Sequence, residues 1–212
     1  MLETAMSEAT PSVWEELASP LQTKQLYGWA RQHNWGLALL LIGWLHLLAF
    51  LLCYYLTIAQ QYHDSPGYLA LWVGEVIGVG LIVRLCTRRR PGDPPFPTLG
   101  RFVVRLWLAY LILAFNLCTM NGLRGHHLFE LFPAMATLAS FGFLVMTFAV
   151  DRRFFRAVLV MFAAGLLMSA FLLHAYLVFA LAWWMVLNGI GLSLSVKAVE
   201  DVTTAPVFQR TA

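Results

Sequence analysis

The sequence predicts an all-α fold: a polytopic helical membrane bundle of six transmembrane helices with both ends on the cytoplasmic side, preceded by a short N-terminal interfacial helix. Three observations lead there. Hydrophobic residues fill 60% of the 212 positions and charged residues 12%, and the mean hydropathy is +0.70, more apolar surface than a soluble core of this length buries. The apolar residues fall in long runs divided by short polar segments, the pattern of successive bilayer crossings. Lys and Arg collect beside alternate runs, as they do in short loops retained on the cytoplasmic side.

Residues 1–35 read as a cytoplasmic tail. Within it, Ser19, Pro20 and Gln22 resemble a helix start, and Leu21, Leu26, Trp29 and Ala30 form an apolar strip suited to a helix lying on the membrane surface. Trp14, Trp29 and Trp35 suit the headgroup layer. The tail is acidic before Lys24 and holds no apolar signal-like core, so no cleaved signal peptide is expected.

The transmembrane domain is placed at residues 36–196, with spans at about 36–58, 68–86, 102–120, 128–150, 155–172 and 176–196. The first ends at the polar turn QQYHDSPG and the second contains Glu75. The following loop, TRRRPGDPPFPTLGR, carries too many prolines to be helical throughout. The third span ends at NGLRGHH, and the fourth takes Pro133 into its first turns, where proline is tolerated. Residues 157–196 hold no fixed charge and one histidine, His174. That run is too long for one crossing at 1.5 Å per residue, so a break is expected between Leu172 and Tyr176. Residues 197–212 form the second cytoplasmic tail.

Orientation follows from charge. Basic residues lie before the first span (Lys24, Arg31), between the second and third (Arg84, Arg88, Arg89, Arg90, Arg101, Arg105), between the fourth and fifth (Arg152, Arg153, Arg156) and after the sixth (Lys197, Arg210). The opposite loops carry Arg124 alone. This alternation is consistent with six crossings and an N-in, C-in topology, most simply in a plasma or inner membrane.

Two groups of polar residues need an explanation. His46 and Glu75 lie deep in the first two spans, where ionisable side chains are costly and normally face the bundle interior. As neighbours in a hairpin they form a hydrogen-bonded clasp or a proton-binding site, with Asn116 and Asn188 as further members of a polar core. Gly74 and Gly78 offer a close-approach surface beside Glu75. The second group, His63, His126, His127, Glu130 and His174, gathers near the non-cytoplasmic face. Histidine and carboxylate are metal ligands, and Glu130 stands four residues after His126; interfacial histidines serving as polar caps are the simpler account. A haem could use His174 with His126 or His127, although the sequence holds no CxxCH site. Cys53, Cys86 and Cys118 form no zinc spacing and read as packing residues, with Cys53 to Cys118 the one pairing the depths allow.

Trp183 and Trp184 suit either packing or stacking on a lipid or quinone, and Tyr54, Tyr55, Tyr62, Tyr68 and Trp72 suit an outer aromatic belt. No Walker loop, nucleophile elbow, HExxH helix or GxGxxG turn is present. The leading expectation is a non-catalytic scaffold or accessory subunit, or a small solute carrier or channel-like component. The lipid bilayer is its first partner, and Arg88, Arg89 and Arg90 are the surface for a protein partner; nucleic acid is not expected. The other class is a membrane redox or metal-binding protein using the outer histidines.

Overall fold

The computed structural model describes residues 20–59, 66–87 and 92–203, and all regular structure within them is helical. Seven α-helices follow in order: α1 (Pro20–Gln32), α2 (Trp35–Ala59), α3 (Pro66–Cys86), α4 (Thr98–Leu123), α5 (Phe132–Ala149), α6 (Phe155–Ala170) and α7 (Ala175–Thr203). Short 3₁₀ turns, Leu128–Leu131, Arg152–Phe154 and Leu172–His174, precede α5, α6 and α7. Among the described residues five segments are long and apolar enough to cross a bilayer: Trp35–Ala59, Thr98–Leu123, Phe129–Ala149, Arg152–Ala170 and Leu172–Ser195. The chain is thus a polytopic helical membrane protein.

The helix ends have local causes. Asn34 turns the chain between α1 and α2 in the left-handed region, at φ 52, a conformation asparagine tolerates at helix ends. Pro97 precedes α4 in extended backbone (φ −58, ψ 148), and α4 starts at Thr98, a turn earlier than the hydrophobic run alone suggests. Pro133 occupies the first turn of α5. The long apolar run beyond residue 157 breaks at Phe171 (φ −126, ψ 62) without glycine or proline, and the following 3₁₀ turn uses the bond from His174 N–H to the Phe171 carbonyl, 2.9 Å.

The bundle centres on α2 and α7, the most extensively packed pair. Glycines bring the two backbones together. A methyl group on Gly191 would meet the Gly36 carbonyl oxygen at 2.8 Å and the Leu40 Cγ at 3.0 Å, and one on Gly43 would meet the Asn188 Nδ2 at 2.5 Å. This is small-residue packing of the kind that drives helix association in lipid, where burial of apolar surface supplies little force. Helices α5 and α6 form the second close pair, joined by the Ser140 hydroxyl donating to the Val158 carbonyl at 3.1 Å.

Helix α3 packs chiefly on α2, and its contact is tightest at Gly78, where a methyl group would meet a Leu45 methyl at 2.7 Å. Gly74 faces open space, so the GxxxG pattern contributes one close-approach position here, not two. Helix α4 rests on α5 and α1 through one face and leaves Leu108, Leu111, Ile112 and Phe115 exposed, as suits a lipid-facing helix.

Helix α1 is a strap across the end of the bundle where the arginines collect. The Thr23 hydroxyl donates to the Val150 carbonyl at 3.0 Å. Trp29, in the strip read from sequence as interfacial, is buried: it stacks on His33 at 4.2 Å and meets Phe96 edge-on at 4.7 Å. Trp29 thus lies against protein, while Leu21 at the start of the strip is exposed.

Replacing Gly191 with alanine should force the α2 and α7 backbones apart, lowering stability by about 1–3 kcal/mol, the usual cost of overpacking. Gly74→Ala, which meets nothing, should be neutral or slightly stabilising because alanine favours helix. Thermal unfolding of the two variants in one detergent makes the comparison, and equal midpoints would contradict the close-packed seam.

Candidate functional site

Two ionisable residues at the middle of their helices meet between α2 and α3. His46 lies near the midpoint of α2 and Glu75 near that of α3, on the order of 15 Å from either helix end at 1.5 Å per residue. The His46 Nδ1 and Glu75 Oε1 are 2.5 Å apart, and the side chains are 15% and 14% exposed. One proton joins them, carried as an Nδ1–H donating to the carboxylate or as a carboxylic acid donating to Nδ1.

The other side of the His46 ring is walled by aromatic groups. Phe50 lies one helical turn along α2 with ring centroids 4.3 Å apart, and Phe179 and Trp183 of α7 lie at 5.9 and 6.0 Å. Trp183 continues the wall outward to Trp107 at 5.7 Å and Tyr110 at 6.1 Å on α4. Its role is therefore packing about the histidine, while Trp184 meets the exposed Trp44 edge-on at 5.4 Å. The His46 Nε2 is buried and has no hydrogen-bond partner among the described residues. Leaving such a nitrogen unpaired costs stability, and the imidazole is held by the carboxylate through Nδ1 alone.

Asn188 and Asn116 do not join this pair. Asn188 is buried but serves the α2–α7 seam: its Nδ2 bonds the Trp184 carbonyl at 2.8 Å and lies against Gly43. Asn116 is exposed, with its amide directed to the Met120 Sδ at 3.8 Å. It stands two residues after the buried Ala114, about 200° around the helix, and so turns away from the packed face of α4.

At the histidine-bearing end, the His126 Nδ1 and Glu130 Oε2 are 2.9 Å apart. His127 is extended (φ −66, ψ 146), so this pair forms across a 3₁₀ turn and not along an α-helical face. His127 stacks on Phe129 at 5.1 Å and His174 faces Tyr54 at 5.9 Å. Among the described residues no three His, Cys, Asp or Glu side chains gather as a metal site requires. All three cysteines are free thiols. His63 and the run Arg88, Arg89 and Arg90 lie outside the described residues.

Several polar contacts escape a depth-based reading of the sequence. Tyr68, assigned there to an aromatic belt, is buried; its hydroxyl is 2.8 Å from the Thr57 hydroxyl and its ring stacks on Tyr176 at 5.8 Å. Thr57 is fully enclosed and also donates to the Cys53 carbonyl at 2.9 Å. At the basic end, the His33 Nε2 lies 3.2 Å from the Asp93 Oδ2, and the Tyr27 hydroxyl donates to the Asp151 Oδ2 at 3.0 Å. The available signal was Asp93 and Asp151, two carboxylates isolated among arginines and prolines. The chain matches no known family model, no curated protein sequence and no solved structure.

Burial, followed by the negative charge of Asp151, raises the Tyr27 phenol above its ordinary 10.0. The folded protein therefore keeps a proton that the unfolded chain releases near pH 10, and by linkage this contact is fully stabilising below that pH and weakens as pH rises above it. Thermal midpoints from about pH 8 to about pH 11 should fall more steeply for the native chain than for Tyr27→Phe, whose ring cannot ionise. Parallel curves would mean that the phenol is not shifted by its burial and by Asp151.

Proposed function

We propose that the chain is a six-crossing membrane protein, N-in and C-in, acting as a non-catalytic scaffold or accessory subunit, with His46 and Glu75 clasping α2 to α3. The observation that carries this reading is the 2.5 Å contact between the two side chains near mid-helix. A carboxylate exposed to lipid is costly, and pairing with a ring held by Phe50, Phe179 and Trp183 offsets that cost while fixing the register of the hairpin.

The other polar contacts support the same role. His33 with Asp93, Tyr27 with Asp151, His126 with Glu130 and Thr57 with Tyr68 are satisfied by neighbours within the chain, as in a self-contained bundle. The exposed apolar faces of α3 and α4 suit lipid or a companion helix, and a protein partner at the cytoplasmic face would read the Arg88, Arg89 and Arg90 run. A second reading, in which Glu75 carries protons for a small solute carrier, draws support from the unpaired His46 Nε2. The metal or redox reading is weaker, because among the described residues His126 and Glu130 supply two ligands with no third beside them.

The sixth crossing in this reading is α3. Its 21 residues extend roughly 30 Å at 1.5 Å each, and Arg84 in its last turn suits the cytoplasmic surface. In a background without the native cysteines, single cysteines replacing the exposed Pro94 and Arg124 should react with an impermeant reagent from opposite sides. Labelling of both in intact cells would sink the topology.

A double-mutant cycle tests the clasp. His46→Ala and Glu75→Gln should each lower the unfolding midpoint, and the pair together should lose less than the sum, with coupling of about 1 kcal/mol, as for other interhelical polar contacts. Strict additivity would refute it. Proton flux in proteoliposomes that Glu75→Gln abolishes at unchanged folded yield would favour the carrier reading over the scaffold.

A further inference from the structure

One feature that the clasp does not use is a groove of about 310 Å³ at the basic end, bounded by α1, the start of α6 and the middle third of α7. Its upper rim holds three guanidinium groups, Arg31, Arg153 and Arg156, together with the Tyr27 ring. Among the described residues no carboxylate lies in the lining. Asp151, just outside it, accepts the Tyr27 hydroxyl and lies 3.9 Å from the Arg153 Nε, so one carboxylate stands beside the Arg153 and Arg156 guanidinium groups. Arg153 and Arg156 are exposed, and the N-terminus of the 16-residue α6 adds its partial positive charge at the same place.

Below the rim the lining turns apolar. Ala157 and Val160 continue down α6, and Ile190, Val186 and Met185 continue down α7. From Ser193 to Met185 the groove descends about 12 Å at 1.5 Å per residue. Gly189 lies on this wall with open space where a side chain would be, so the wall is recessed at that point. Charge above and a recessed apolar channel below, along helices that face lipid, match one class of molecule in size and polarity.

We propose that this groove is a binding site for an anionic phospholipid, its phosphate held by Arg153 and Arg156 with Arg31 at the rim, and the start of one acyl chain laid between α6 and α7 over Gly189. The guanidinium fork suits phosphate oxygens, and a basic rim at the membrane surface attracts anionic headgroups. A zwitterionic lipid fits the same channel but gains less from the rim. A free phosphate gains from the rim but leaves the channel empty. The site rests on residence in a bilayer, and on neither the orientation nor the clasp.

The test uses the full chain in a neutral detergent, so that topology and the His46–Glu75 pair do not enter. Native mass spectrometry and thermal shift would compare phosphatidylglycerol, phosphatidylcholine and inorganic phosphate on the native chain, on R153Q/R156Q and on Gly189→Leu. Phosphatidylglycerol should bind the native chain tightest, and the double arginine variant should lose that preference over phosphatidylcholine by on the order of tenfold. Gly189→Leu, which fills open space and should fold normally, should weaken both lipids together. Equal binding of the two lipids to the native chain, or a preference that survives R153Q/R156Q, would overturn the site. Stabilisation by inorganic phosphate equal to that by phosphatidylglycerol, or binding indifferent to Gly189→Leu, would overturn the lipid in favour of a bare anion patch. Should R153Q/R156Q fail to fold, Gly189→Leu and the comparison of ligands on the native chain still decide.

Discussion

The close approach of α2 and α7 is the constraint from which the other contacts follow. Between helices in lipid the hydrophobic effect supplies little attraction, so packing must come from shape and from polar contacts. Gly36 and Gly43 on α2, seven residues apart, put two gaps on one face, and Gly191 with the Asn188 amide fills them. With that seam fixed, α7 presents Phe179 and Trp183 to the His46 ring, and the opposite face of α2 is left for α3. The strap formed by α1 then closes the end of the bundle by hydrogen bonds to the turn after α5 and to the proline-rich loop.

Polar groups in this bundle fall into two kinds by depth. Near the ends, hydroxyls and carboxylates find partners locally: Thr57 with Tyr68, Tyr27 with Asp151, His126 with Glu130. Water is close at those depths, and each contact adds register more than stability. At mid-helix an ionisable side chain needs a partner, and His46 and Glu75 supply one another through Nδ1 while aromatic rings pack about the rest of the imidazole. The asymmetry leaves a buried nitrogen with unused hydrogen-bonding capacity, which is the chemical interest of the site.

The helical membrane class was legible because it rests on long apolar runs, a signal summed over many residues. His46 and Glu75 were legible as a pair because each is the one ionisable side chain well inside its run and hairpin topology makes the runs neighbours. Asn116 was not, since which face of α4 packs is decided by the burial of Tyr110 and Ala114, information that depth does not contain. Tyr68 and Trp29 follow the same logic: an aromatic residue near a membrane surface suits headgroups and a protein nest equally well, and tertiary contacts with Tyr176 and with Phe96 decide. The α2–α7 seam was hidden because glycines are common in membrane helices and their partners lie more than 140 residues away in the chain.

The sequence separation of these contacts has a consequence for biogenesis. His46 and Glu75 are 29 residues apart, whereas Gly36 awaits Gly191. In the six-crossing reading, α2 and α3 enter the bilayer as a paired hairpin as the chain emerges from the ribosome, so the two polar groups reach the hydrocarbon already joined and the insertion penalty of each is reduced. The glycine face of α2 has no such early partner. It remains an unfilled notch through the synthesis of three further helices, open to lipid or to another protein's helix, and closes when the last helix is released and slides into place.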